Sequence, residues 1–207
     1  MDCYMTNINY DWTAMFENSS IKFSVLSEPV SLQNKESKKK LLREKIQKIT
    51  KECPEIITGH CWIHIDYYCK NIKRLKNPSA YDMDNLIKPI LDSLCGSDGI
   101  LIDDSLVDRV KINWIDKNGN DEFEVFIEHS FLFFCEKKSL YFYKHGNWCF
   151  PTELPDLESK EAIVNIFTIW DLIKTEEDYQ KFLGMLPQHK FLPYNKICKS
   201  GFRFVEI

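Results

Sequence analysis

Five carboxylates and a lysine crowd the middle of the chain: Asp82, Asp84, Lys88, Asp92, Asp103 and Asp104. Asp82-Met83-Asp84-Asn85-Leu86-Ile87-Lys88 comes first. Asp92 follows, and the pair Asp103-Asp104 stands beyond the turn Gly96-Ser97-Asp98-Gly99. Clustered carboxylates bind hard divalent cations such as Mg2+, which prefers oxygen ligands and keeps several of its waters. Such an ion neutralises a phosphate and makes a nucleophilic water available near neutral pH. A lysine alongside stabilises the negative charge that develops in the transition state. The chemistry these residue types suit is metal-assisted phosphodiester hydrolysis.

Taken singly, each piece has a plainer use. Acidic pairs at helix starts often act only as caps. Asp84 and Lys88 are spaced as an ordinary i,i+4 surface pair, worth about 0.2–0.5 kcal/mol. Asp103-Asp104 suits turn chemistry, and lysine runs commonly form solvated helix faces. The nuclease reading rests on their combination.

The elements that must position these groups can be read from periodicity. Ile21–Leu26 alternates apolar and polar residues and predicts a strand. Leu41, Leu42, Ile46 and Ile49 recur at helical spacing between Lys38 and Glu52, with Ser37 as N-cap. Cys61, Ile63, Ile65, Tyr67 and Cys69 share one face of a further strand, and Trp62, His64, Asp66 and Tyr68 share the other. Trp62 and Tyr68 have the rings to stack on unpaired bases, but packing under a helix is the expected use. The basic loop KNIKRLKNPSA then leads into a helix over DMDNLIKPILDSL, on which Asp84, Lys88 and Asp92 form one polar stripe. Pro89 places the regular helical start at about Asn85–Leu86, leaving Asp82 and Asp84 on the entering loop. Two alternating runs flank Asn118-Gly119, which signals a hairpin.

Residues 20–128 thus predict a β-α-β-α-β-β unit of the α+β class with a mixed sheet. Residues 1–19 precede it as an arm. Residues 129–207 form a C-terminal α+β extension, with a hairpin around CEKKS, two helices and a last strand over FRFVEI. No catalytic pattern stands out in that extension.

Composition bounds the setting. Of 207 residues 44% are hydrophobic and 14% aromatic, enough for a proper core. No run reaches the roughly 18 apolar residues of a membrane span, and the first residues lack a signal peptide's pattern. Cytoplasmic residence is expected. The eight cysteines include no C-x-x-C pair, so they are expected to be reduced, structural residues rather than zinc ligands. The net charge is −4, yet basic residues are segregated. Lys70, Lys73, Arg74 and Lys76 lie in the loop before Asp82, and Lys38, Lys39 and Lys40 open a basic helix running to Lys48. These two segments are the candidate DNA-phosphate contacts.

The pattern D-x-D-N-L-x-K-x-x-x-D-x-L, then D-D-x-x-V, resembles the RusA family of Holliday junction resolvases. Here it stands as Asp82, Asp84, Asn85, Leu86, Lys88, Asp92 and Leu94, then Asp103, Asp104 and Val107. The upstream PVSLQNK is similar to the family's early loop. The resemblance covers residues 20–128. It implies Mg2+ held by Asp82, Asp84 and Asp104, with Mn2+ able to substitute, and catalysis by these three with Lys88. It also implies a homodimer that nicks a four-way junction symmetrically in recombination, repair or phage DNA processing. Asp92 matches the pattern in a structural part.

Family members are shorter and basic, so the extension is expected to alter dimerisation, recruit a protein partner or retarget the enzyme. Two other functions compete: a non-catalytic DNA-binding or dimerisation scaffold, and a Mg2+-dependent phosphatase or nucleotide hydrolase. The last is disfavoured because no glycine-rich phosphate loop is present.

Overall fold

A computed structural model describes residues 10–70, 82–130, 134–153, 157–182 and 192–206. The principal sheet has four strands in the order β1-β5-β3-β4, formed by β1 (Ser20–Val25), β3 (Cys61–Lys70), β4 (Val107–Lys117) and β5 (Glu122–His129). β5 runs antiparallel to β1 and β3, whereas β3 and β4 are parallel. This is the expected mixed sheet in an α+β fold.

Alternation decides which face is buried. Ile21, Phe23, Ile63, Ile65, Tyr67, Phe123, Val125 and Ile127 all point into one core. Helices α2 (Glu36–Thr50) and α3 (Met83–Leu94) close that core with Leu42, Ile46, Ile90 and Leu94, and α1 (Trp12–Glu17) adds Trp12 against Phe23. Helix α2 begins at Glu36 with Lys35 at the N-cap, not at Ser37, and no side chain caps it. Leu41, expected in the apolar stripe, is 53% exposed, and the buried stripe is Leu42, Ile46 and Thr50.

The expected hairpin at Asn118-Gly119 does not form. β3 lies between β4 and β5, so residues 118–121 arch over its end instead. Gly119, at φ +117°, provides the turn. Asp121 accepts the Lys70 backbone N–H at 3.0 Å, closing the end of β3, and Lys117 pairs with Glu122 across it. Nor does Trp62 pack under a helix. It is 47% exposed, with the Arg109 guanidinium 4.7 Å from its ring.

The later residues build onto this unit. β6 (Phe134–Glu136) pairs with β2 (Glu55–Ile57). A second sheet has the order β10-β7-β8-β9, from β7 (Tyr141–His145), β8 (Trp148–Thr152), β9 (Leu192–Pro193) and β10 (Arg203–Glu206). Among the described residues the expected hairpin around CEKKS is therefore absent, β6 and β7 pairing with other strands. Lys137 donates its backbone N–H to Pro54 and its ammonium to Thr50, fixing the corner between two strands that join different sheets. The two expected helices are α4 (Leu157–Leu172) and α5 (Glu176–Phe182). Ile163 and Phe167 of α4 pack with Tyr143 and Phe150.

Cys53, Cys135 and Cys149 are buried, and burial pushes their thiols up to about 11, 12 and 12 respectively. They behave as small apolar residues. Among the described residues no helix is long and apolar enough to cross a membrane.

Candidate active site

Helix α3 starts earlier than Pro89 suggested. It runs from Met83, with Asp82 at the N-cap, Asp84 in the first turn and Pro89 inside. A proline cannot donate to the carbonyl four residues back, which here is Asn85. That carbonyl accepts instead from the backbone N–H of Leu32, at 2.9 Å. The loop holding Leu32 is itself closed by Asn34 Oδ1, which accepts the Ser31 N–H at 2.8 Å. The PVSLQN segment thus repairs the helix that a proline would otherwise break, and it lies against the start of the D-x-D helix.

At that start, Asn85 Nδ2 donates to Asp82 Oδ2 at 3.2 Å. The neighbouring Asp84 carboxylate holds the Asp82 carboxyl above the usual carboxylate range, while Asp84 itself is held below it. Two exposed carboxylates side by side make a point of concentrated negative charge.

Lys88 lies one turn further along the same helical face. Its ammonium pairs with Asp92 Oδ1 at 2.8 Å and with Asp104 Oδ2. Burial acts to lower the Lys88 pKa, but the hydrogen bonds it donates to the two carboxylates outweigh this and hold the ammonium above its ordinary value. The polar stripe expected on α3 is therefore real, and it docks the Asp103-Asp104 turn.

That turn opens a single 3-10 turn, Asp104–Leu106. Asp103, at its N-cap, accepts the Ser105 N–H at 3.0 Å. Val107 then begins β4, beside Cys61 of β3. A second ammonium reaches the same turn. Lys196, on the short helix α6 (Tyr194–Ile197), lies 2.9 Å from Asp103 Oδ1 and 2.6 Å from Asp104 Oδ1. Burial acts to raise the Asp104 pKa, yet hydrogen bonds from Lys196 and Lys88 hold it below the ordinary range.

Asp82 and Asp84 are together, and Asp104 is together with Lys88, Asp92, Asp103 and Lys196. Among the described residues no three carboxylate, imidazole or thiol groups converge tightly enough to hold a metal as they stand. The donor chemistry nonetheless fits a hard divalent cation: oxygen ligands, a like-charge contact that a cation would relieve, and a third carboxylate held ionised.

Of the candidate DNA contacts, Lys70 ends β3, and Lys38, Lys39 and Lys40 lie in the first turns of α2. Lys38 and Lys40 are exposed, Lys39 pairs with Glu36 at 3.0 Å and Lys40 with Glu44 at 3.9 Å. Lys73, Arg74 and Lys76 lie outside the described residues. Lys196 was missed by sequence reasoning. It stands 92 residues from Asp104, and no local motif marks it.

Residues 29–128, which contain the D-x-D helix and the Asp103-Asp104 turn but not Lys196, match the family model described as Endodeoxyribonuclease RusA. No curated protein matches the chain. Residues 29–128, just under half of the chain, are therefore similar to the RusA endodeoxyribonucleases.

Proposed function

We propose that the chain is a Mg2+-dependent endodeoxyribonuclease that cuts four-way DNA junctions by paired phosphodiester hydrolysis, in recombination, repair or phage DNA processing. The observation that carries this reading is the docking of Asp104 onto Lys88, one turn along α3 from Asp84 and its neighbour Asp82. Those residues lie within the region that matches the family model.

Asp82, Asp84 and Asp104 would hold the ion. When bound, Mg2+ or a substituting Mn2+ neutralises the scissile phosphate and lowers the pKa of a coordinated water. Lys88, held charged by its carboxylate partners, offsets the negative charge that builds on the phosphate oxygens. Asp92 keeps the lysine aimed across the helix face, through their 2.8 Å contact. Lys70, at the end of β3, and Lys73, Arg74 and Lys76, in the basic segment before Asp82, grip the backbone beside the cut. Lys38, Lys39 and Lys40 supply a second contact.

Paired nicks need two sites, so the working form is a homodimer. Residues 20–128 are the nuclease unit, following an arm over residues 1–19. Residues 129–207 are the extension whose second sheet is offered to a protein partner. The setting is the cytoplasm, where buried thiols stay reduced.

The test is cleavage of a labelled four-way junction beside duplex and flap controls, with and without Mg2+. Asp84→Asn is expected to lower the rate by about 10²–10³-fold while junction binding persists. Junction binding without cleavage by the wild type, across Mg2+ and Mn2+ titrations, would instead indicate a DNA-binding scaffold.

A further inference from the structure

We propose that Lys196 restrains the nuclease site: an ammonium lent by the C-terminal segment, which pairs with Asp103 and Asp104 and competes with the divalent cation for Asp104 Oδ1. The inference rests on the assignment of Asp82, Asp84 and Asp104 as metal ligands.

Lys196 is not a loose surface lysine. Leu192 and Ile197, on either side of it, are buried with Ile102 and Leu106, which flank Asp103-Asp104. The Tyr194 N–H donates to the Asn147 carbonyl at 2.9 Å, and the Ser97 N–H donates to Ser200 at 3.0 Å. Gly201, at φ +81°, lies so close to Ser97 that a Cβ there would meet Ser97 Oγ at 2.5 Å. The segment that carries Lys196 is thus packed and pinned against the turn it serves.

Charge accounting says what the contact does. Asp103 is 4% exposed, and a buried carboxylate needs partners. Ser105 N–H and Lys196 supply them. Both oxygens of Asp104 are engaged, Oδ2 by Lys88 and Oδ1 by Lys196. A cation that takes Asp104 as a ligand competes with at least one ammonium for it. Each ammonium has a second carboxylate to fall back on: Asp92 for Lys88 and Asp103 for Lys196. Releasing Asp104 therefore strands neither charge. Lys196 competes with the metal for Asp104, and Asp103 draws Lys196 away from it.

Those two relations have opposite signs, which a merely structural tie would not produce. Mn2+ binding to the full-length protein, without DNA, is measured from the electron paramagnetic resonance signal of the free ion. Lys196→Met is expected to tighten the Asp84-dependent binding by about three- to tenfold, the range of a partly exposed ion pair and somewhat beyond. Asp103→Asn, which leaves Asp104 as the one carboxylate facing Lys196, is expected to weaken it by a similar factor. Lys196→Arg keeps the charge and is expected to restore wild-type affinity.

Unchanged or weaker binding in Lys196→Met overturns the proposal, as does a shift in the same direction for Asp103→Asn. Should Lys196→Met not fold, the sign for Asp103→Asn decides alone, and unchanged or tighter binding there overturns it. Wild-type binding that depends on Asp84 but ignores positions 103 and 196 leaves the nuclease reading standing and removes this one. Absence of any Asp84-dependent Mn2+ binding removes both.

Discussion

The backbone N–H of Leu32 donates to the carbonyl of Asn85, the acceptor that Pro89 leaves without its helical donor. An interior helical proline ordinarily costs about 3 kcal/mol, through the lost hydrogen bond and the clash with that carbonyl. Here the carbonyl has a donor from another part of the chain. Pro89→Ala is therefore expected to change stability by less than about 1 kcal/mol, well short of the usual gain. Urea unfolding at equal m-value checks this. A gain near the full cost of an interior proline would show that the Leu32 contact offsets little.

The Leu32 contact also shows where sequence reasoning stops. The stripe Asp84-Lys88-Asp92 was legible because i, i+4 spacing on a helix is local geometry, and the buried face Ile63, Ile65, Tyr67 was legible because strand alternation is local too. Strand pairing is not local. Asn118-Gly119 has the chemistry of a tight hairpin, but Ile63 pairs with both Val110 and Ile127, so β3 separates the strands that the turn connects. Pro89 set the helix start too late because its rescuing donor comes from Leu32, far upstream. Lys196 reaches Asp104 only because Leu192 and Ile197 bury beside Ile102 and Leu106, a packing choice that no spacing records.

Tyr67 tests the core on which β3 depends. It is buried, its ring stacks near Phe123 and Trp114, and its hydroxyl donates to the Ser27 carbonyl at 2.9 Å. Tyr67→Phe keeps the ring contacts and deletes that donor. The expected loss is about 1–3 kcal/mol, because a buried carbonyl is left desolvated without this partner. The denaturant midpoint reads it, and a loss below a few tenths of a kcal/mol would mean that water replaces the hydroxyl.

Binding to a four-way junction should fall steeply with salt, by about 0.9 log units per log unit of salt for each phosphate contact. The start of α2 contributes if the basic helix is a second contact. Lys38→Ala with Lys40→Ala is expected to weaken binding without changing sequence preference and to flatten the salt slope by about two contacts' worth. Lys39, already paired with Glu36, is expected to add less. An unchanged slope in the double variant would remove α2 from the interface and leave the basic segment before Asp82 to carry it.

His129, at the end of β5, provides a pH readout of this end of the sheet. It is buried, its ring meets Phe134 edge-on at 5.5 Å, and its Nδ1 lies 3.1 Å from the Ser130 carbonyl. Burial holds its pKa below the ordinary histidine value, the Ser130 contact opposing it only in part. In the unfolded chain the group titrates near about 6.5. Between that value and the lower folded one, the unfolded state binds more protons, so stability rises with pH across the window. The contribution is complete above the unfolded pKa, declines as pH falls through it, and levels off below the folded pKa. His129→Gln removes this component. The drop in denaturant midpoint between about pH 7.5 and pH 5 should be smaller in the variant than in the wild type. Parallel losses in the two proteins would assign the acid sensitivity to other groups.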